Sequence, residues 1–231
     1  AAITPRTRLV LLNSPHNPTG TVLTRDELSA VAELAIEHDL LVVTDEVYEH
    51  LTYGAEHVPI ATWPGMAERT VTISSAGKTF SFTGWKVGWA TGPAHLVGAV
   101  AAAKQYLTFT SGAPLQPAVA TALGLPDQVL VDLRVDLQRR RDLLCDGLSA
   151  FGLEVFVPAG TYFATTDISP LGYPDGTAFC LDLPTRAGVV AIPHQVFYDD
   201  ADAGRMLVRW AFCKRDQVLH EALDRLTRAF G

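Results

Sequence analysis

The sequence predicts an α/β fold: a mostly parallel sheet in a large domain over residues 1–126, followed by a small α+β domain over 127–231. Short continuous apolar runs bounded by turn residues recur at residues 9–12, 40–44 and 70–74. Stretches with helical spacing separate them, the alternation of a parallel sheet wound with helices. Past residue 127 the pattern changes to one long helix, four short strand candidates and a closing helix.

Each element has its own signal. The first run ends in Asn13-Ser14-Pro15, which reads as a buried strand entering a loop. Thr24-Arg25-Asp26-Glu27 is a capping box, and Leu28, Val31, Ala32 and Ala35 follow at helical spacing. The runs at 40–44 and 70–74 are a second and third strand, and residues 85–91 a fourth. Residues 94–106 read as a helix, stopped by turn signals near Gly112 and Pro114. From Asp127 a long helix carries Leu130, Leu133, Leu137, Leu144 and Leu148. The small domain then offers strands at 154–157, 161–167, 189–192 and 207–212. Its closing helix, about 216–229, turns Val218, Leu219, Ala222, Leu223 and Leu226 inward. Strands this continuously apolar predict a sheet covered on both faces.

Composition excludes several function classes. With 48% hydrophobic and 19% charged residues, the chain can bury a core and is not disordered. A formal net charge of -7 argues against a nucleic-acid partner. The one basic run, Arg139-Arg140-Arg141, reads as the solvated face of a helix. Cys145, Cys180 and Cys213 are far apart and form no CxxC pair, which indicates neither a disulfide framework nor a zinc site and suits a reducing cytoplasm. The seven histidines show no metal-binding spacing, so no metal is expected. No apolar run approaches a membrane span, and residues 1–8 lack the apolar core of a signal peptide.

The chemistry lies at the strand ends. In open α/β sheets, ligands bind beyond the carboxyl ends of the strands. Three strands here run into polar segments: Asn13-Ser14-Pro15-His16-Asn17-Pro18-Thr19-Gly20, Thr44-Asp45-Glu46-Val47-Tyr48, and Ser74-Ser75-Ala76-Gly77-Lys78-Thr79. Asn, Asp, Tyr, Ser and Lys are therefore expected in one pocket. That set fits an aromatic, phosphorylated, carbonyl-bearing cofactor. A lysine amine forms a Schiff base with the carbonyl, and a carboxylate keeps a ring nitrogen protonated. Asn and Tyr hold a phenolate oxygen, and a serine with a second cation holds phosphate. Singly, each piece has an ordinary explanation: a turn at Asn17-Pro18, a cap at Asp45, rim aromatics at Tyr48 and Tyr53, a solvated lysine at Lys78. Yet the chain has only four lysines, and two of them, Lys78 and Lys86, fall in one segment rich in glycine, serine and aromatic residues.

The order Asn-Pro-Thr-Gly, Asp-Glu-Val-Tyr, Ser-x-x-Lys and a cation eight residues later resembles the class I/II aminotransferases, pyridoxal-5'-phosphate (PLP) enzymes of fold type I. The run from Ser74 to Trp89 is similar to the kynurenine/glutamine branch. The wider pattern, through Met66-Ala67-Glu68-Arg69-Thr70 to Phe212-Cys213-Lys214-Arg215-Asp216, resembles most the actinobacterial N-succinyldiaminopimelate aminotransferases. The resemblance implies that Lys78 carries the cofactor and is the catalytic base. It implies that Asp45 pairs with the pyridine nitrogen, that Asn17 and Tyr48 bond the ring oxygen, and that Ser75 and Lys86 hold the phosphate. Many relatives carry Arg at the Lys86 position; Lys keeps the charge without the bidentate fork. Arg209 would bind the substrate α-carboxylate.

The implied activity is transamination between an amino acid and 2-oxoglutarate, in lysine and diaminopimelate biosynthesis, by a cytoplasmic homodimer. A kynurenine/glutamine-type specificity, a PLP β-lyase and a non-catalytic PLP-binding or regulatory domain are the alternatives. Family members place further strands, a glycine-rich phosphate loop and a ring-stacking aromatic ahead of the Asn-Pro-Thr-Gly strand. These are not visible in this sequence, so the large-domain sheet is expected to be incomplete, with an uncovered edge.

Overall fold

The computed structural model describes residues 2–110 and 112–231; the N-terminal reading at Ala1 lies outside the described residues. The chain divides into two compact units. Segments up to Pro15 and Val22–Val131 form the first, and His16–Thr21 with Asp132–Gly231 form the second. The sequence reading places the boundary a few residues earlier, at 126/127, and keeps residues 16–21 with the large domain.

The first unit runs β1 (Leu9–Asn13), α1 (Arg25–Glu37), β2 (Leu41–Asp45), β3 (Thr70–Ser75), α2 (Ala76–Thr79), β4 (Gly88–Thr91), α3 (Ala94–Leu107), α4 (Gln116–Leu123) and the start of α5 (Gln128–Ala150). Its sheet has the order β1-β2-β3-β4. The first three strands are parallel, and β4 is antiparallel to β3. The sheet is thus mostly parallel, as expected. The fourth strand is shorter than residues 85–91, because Thr83–Trp85 form a 3-10 turn and Lys86 takes a left-handed conformation.

Helix α1 starts at the expected capping box: Thr24 accepts from Glu27 N and Glu27 reaches back to Thr24 N, at 3.3 and 2.8 Å. Its Leu28, Ala32 and Ala35 close over Leu40, Val42, Ile60 and Met66, with Val10 and Leu12 packed against them. A fully buried Leu or Val side chain is worth about 1.5–3 kcal/mol, so this layer is the unit's main anchor. The opposite sheet face corrects the expectation of cover on both sides. Leu9, Leu41 and Ile73 are exposed, and Leu11 is 70% exposed. The strands are apolar on both faces, but on this one the described residues bury Val71 and leave those four open.

The second unit continues α5 and adds β5 (Glu154–Phe156), β6 (Phe163–Asp167), α6 (Gly176–Arg186), β7 (Ile192–Pro193), β8 (Leu207–Ala211) and α7 (Asp216–Phe230). Its sheet is antiparallel in the order β5-β6-β8-β7. Leu144, Leu148, Phe179, Leu183, Phe212 and Leu226 lie in its core. Helix α6 is absent from the sequence reading, and β7 is two residues where four were expected. Val218 is exposed rather than inward. The basic run is ion-paired rather than simply solvated: Arg139 reaches Asp136 and Asp216, and Arg140 reaches Asp136.

Gly20 has a φ of +73°, and a Cβ there would lie 2.3 Å from Pro158 Cβ and 2.9 Å from Gly160 O. Left-handed backbone and collision act together, so Gly20→Ala should cost on the order of 2 kcal/mol or more, read as a lower urea midpoint. His194 is fully buried; its Nε2 lies 3.0 Å from Thr165 Oγ1, and Nδ1 has no partner among the described groups. Burial, with the nearby Arg209 and His16 adding to it, pushes its pKa from 6.5 down to about 4. Above the unfolded value, both states are neutral at this site. Between 6.5 and about 4 the unfolded chain takes up a proton the native chain refuses. Stability should therefore fall as pH drops through that window, by on the order of 3 kcal/mol from this residue. His194→Gln should flatten the slope in urea unfolding across the same range; a slope equal to the parent's would refute the assignment.

Candidate functional site

Register sets the site in the first unit. Asn13 pairs with Asp45 across β1 and β2, and Asp45 with Ile73 across β2 and β3. Three polar segments therefore leave the sheet at one level. Asn13 Nδ2 donates to the Asp45 main-chain oxygen at 2.9 Å, tying the ends of β1 and β2 together one step beyond the ladder.

Asp45 is half-buried, and its Oδ1 accepts from Val47 N at 3.2 Å. The chain then turns: Glu49 N donates to Glu46 O, and Leu51 N to Tyr48 O, both at 2.8 Å. This turn buries Tyr48. Strand β3 runs two residues past the Asp45 pairing to Ser75, which precedes α2 and makes no side-chain cap bond to it. Lys78 lies in α2, half-buried, with Nζ 5.5 Å from the centre of the Tyr48 ring. A Cβ on Gly77 would stand 2.9 Å from Thr83 Cα, so only glycine lets the 83–86 turn pass this close to α2. Lys86 is exposed at a φ of +54°. Val87 O accepts from Ala76 N at 3.1 Å, which brings the backbone beside Lys86 to the start of α2, next to Ser75. The first unit thus gathers Asp45, Tyr48, Ser75, Lys78 and Lys86 around the carboxyl end of its sheet.

The second unit holds Asn17 and Arg209. Residues 16–21 close a turn, with His16 N donating to Thr21 O at 2.8 Å and Gly20 N to His16 O at 2.7 Å. Arg209 sits on β8 opposite Thr165 and Ile192. Its Nη1 donates to Asn17 Oδ1 at 2.6 Å. Its guanidinium carbon stands 4.0 Å from the Phe163 ring centre and 4.9 Å from that of Phe197. Two aromatic rings and one amide therefore fix the guanidinium. A cavity of about 370 Å³ in this unit, lined by Leu144, Trp210, Val218 and Leu219 among others, includes neither residue.

Sequence reasoning missed several neighbours. Phe163 lies two residues from the Thr165–Arg209 pair on the same strand, so it is diagonal to Arg209 on one sheet face. Strand alternation identifies it once the register is known. Phe197 comes from a 3-10 turn at His194–Phe197 and carries no sequence signal. In the first unit, Glu46 Oε2 lies 2.8 Å from His57 Nε2, and Ser74 Oγ donates to Glu49 Oε1 at 2.5 Å. Neither pair is marked by any spacing.

The donor set of the first unit suits one kind of ligand. A half-buried amine beside a buried phenol can meet a carbonyl carbon and a ring oxygen. Asp45 can oppose a protonated ring nitrogen, and the Ser75 hydroxyl with the Lys86 ammonium can hold phosphate. The profile of the family "Aminotransferase class I and II" matches residues 1–226. The crystal structure of N-succinyldiaminopimelate aminotransferase from Mycobacterium tuberculosis superposes with a TM-score of 0.95 at 55% identity, over 99% of this chain and 60% of that one. A curated Mycobacterium tuberculosis protein named "Probable N-succinyldiaminopimelate aminotransferase" is 54% identical over 98% of this chain and 59% of its own length. Kynurenine–oxoglutarate transaminase of Dictyostelium discoideum is 41% identical over 99% of this chain and 58% of its own length. The chain thus spans about three fifths of the relatives it matches. It belongs to the class I and II aminotransferases.

Proposed function

We propose that this chain carries the cofactor anchors of a PLP-dependent transaminase that moves an amino group between an amino acid and 2-oxoglutarate. The amino donor in this reading is N-succinyl-LL-2,6-diaminopimelate, as in lysine biosynthesis. The observation that carries the reaction class is the grouping of Lys78, Asp45, Tyr48 and Ser75 at one sheet edge. The substrate rests on the 55% identity to the mycobacterial enzyme of that name.

When bound, PLP supplies a carbonyl that takes up the amino group and a ring that accepts electrons from the substrate α-carbon. The chain's residues do the rest. Asp45 keeps the ring nitrogen protonated by opposing it with a carboxylate. Tyr48 and Asn17 donate to the ring oxygen, and Ser75 and Lys86 hold the phosphate. Lys78 would first anchor the cofactor; once the substrate amine replaces it there, its freed amine would carry the proton from the substrate α-carbon to the cofactor carbon that had borne the carbonyl oxygen, and in the reverse direction in the second half-reaction. Arg209 holds the substrate α-carboxylate with two parallel N–H donors, which a lysine cannot match. The same reading makes the protein a cytoplasmic homodimer. Three free cysteines support a reducing compartment. Exposed Tyr106 and Leu107 at the end of α3, with Phe109 beyond it, support an apolar partner surface. Among the described residues, no helix is long and apolar enough to cross a membrane.

Borohydride reduction of the PLP-loaded chain, followed by peptide mass spectrometry, should place one pyridoxyl group on Lys78 and none in Lys78→Ala. A label elsewhere, or none in the parent, overturns the reading. In the active enzyme, Arg209→Lys should raise KM for both amino-acid and 2-oxo-acid substrates by about tenfold or more, with a smaller change in kcat. Release of ammonia and pyruvate, rather than transfer to 2-oxoglutarate, would instead mark a β-lyase.

A further inference from the structure

One buried ionisable pair has no part in the chemistry above. Glu46 is 1% exposed. Its Oε2 lies 2.8 Å from Nε2 of His57, whose side chain is 7% exposed, and its Oε1 has no partner among the described groups. Withdrawing a carboxylate and an imidazole from water is costly, and a lone buried oxygen adds to the cost. Apolar residues of similar size fill such space more cheaply. The placement gives the pair a use. Glu46 directly follows Asp45, so strand alternation turns its side chain away from the Asp45 side and into the protein.

The Glu46 main chain is held on both sides. Its N–H donates to Ile73 O on β3 at 2.8 Å, and its carbonyl accepts from Glu49 N. The second bond closes the turn that carries Tyr48. A partly buried contact, from Ser74 Oγ to Glu49 Oε1, ties the far end of this turn to β3. Fixing the Glu46 side chain therefore fixes residues 45–49 as a unit, with Asp45 at one end and Tyr48 near the other.

We infer that Glu46 and His57 are positioning residues for the cofactor ring: their buried pairing sets the level of Asp45 and Tyr48 without touching cofactor or substrate. This inference rests on the proposed PLP function, so one arm of its test needs no cofactor. Hydrogen exchange of residues 47–49 is measured in the cofactor-free chain for the parent, His57→Ala, His57→Gln and Glu46→Gln. His57→Ala should speed exchange there by about tenfold or more while leaving α1 unchanged; His57→Gln, which keeps a donor, should recover most of the protection. The second arm titrates PLP itself by its absorbance. His57→Ala should raise the half-saturating concentration by about tenfold and alter the bound-cofactor band, and His57→Gln should stay within about threefold of the parent.

Parent-like exchange in a folded His57→Ala overturns the inference, and so does loosened exchange with parent-like PLP binding. If His57→Ala does not fold, Glu46→Gln decides by the same two readouts: it keeps size but replaces the carboxyl with an amide, so exchange at 47–49 should quicken and PLP bind more weakly, and parent-like values in both overturn the inference. Parent-like behaviour in Glu46→Gln together with failed rescue by His57→Gln counts against the pair. A parent that shows no Lys78-dependent PLP band overturns the proposed function, and the exchange arm then still decides whether the pair fixes the turn.

Discussion

Parallel hydrogen bonding among β1, β2 and β3 fixes where three polar segments leave the sheet, and the first unit's chemistry depends on it. The ladder matches Asn13 to Asp45 and Asp45 to Ile73. A slip of one residue would send Asp45 to the opposite face and bring Glu46 forward in its place. The apolar layer under α1 opposes such a slip, because Val42 is fully buried on that side. The Asn13 amide adds a bond to Asp45 O that a slipped register would break. The same alternation that presents Asp45 at the edge sends Glu46 inward to His57. Asp45, proposed to oppose the cofactor ring, and the buried Glu46 thus take opposite sides through one pleat.

The second unit solves a different problem, holding a cation in a fixed plane. Arg209 has a flexible stem, and an exposed arginine samples many rotamers. Here Phe163 and Phe197 supply aromatic faces, and Asn17 accepts one N–H. The rings act on the guanidinium as a plane, whereas the amide acts on one edge. Together they restrict orientation in the way bidentate capture of a carboxylate demands. The turn at residues 16–21 is part of this device, since it delivers Asn17 and is closed by its own hydrogen bonds.

Legibility from sequence tracks how local the determinant is. Strands β1 to β3 could be placed to within a residue, because an apolar run between turn residues is a local signal. The capping box before α1 was equally plain. The antiparallel direction of β4 was not, because apolar content carries no strand direction. Helix α6 begins at Gly176 and contains Pro184, which weaken its local signal; its Asp175 cap, which accepts from Ala178 N at 2.8 Å, is the signal available. Apolar strands suggest two covered faces, where the described residues cover the second only in part. Lys78, Asp45, Tyr48 and Ser75 stood out because their motifs are contiguous. Glu46 with His57, and Arg209 with Phe163 and Phe197, depend on contacts that only folding creates.

Those non-local contacts share a physical logic. Each unit buries a histidine behind the residues assigned to chemistry: His57 beside Glu46 in the first, His194 beside Thr165 in the second. Burying such groups is unfavourable compared with apolar packing. Apolar packing, however, is non-directional and tolerates sliding, while a hydrogen bond weakens steeply outside a narrow angle and distance. A turn that must hold Asp45 and Tyr48 in register needs the second kind of contact. The partner differs with the local charge. His57 faces a carboxyl group, Glu46, at 2.8 Å. His194 has a hydroxyl and lies near the Arg209 cation, and burial holds it neutral over the physiological range. A protonated His194 would place a buried cation near the partly buried Arg209. The neutral imidazole therefore gives the second unit directional support without altering the charge that Arg209 offers.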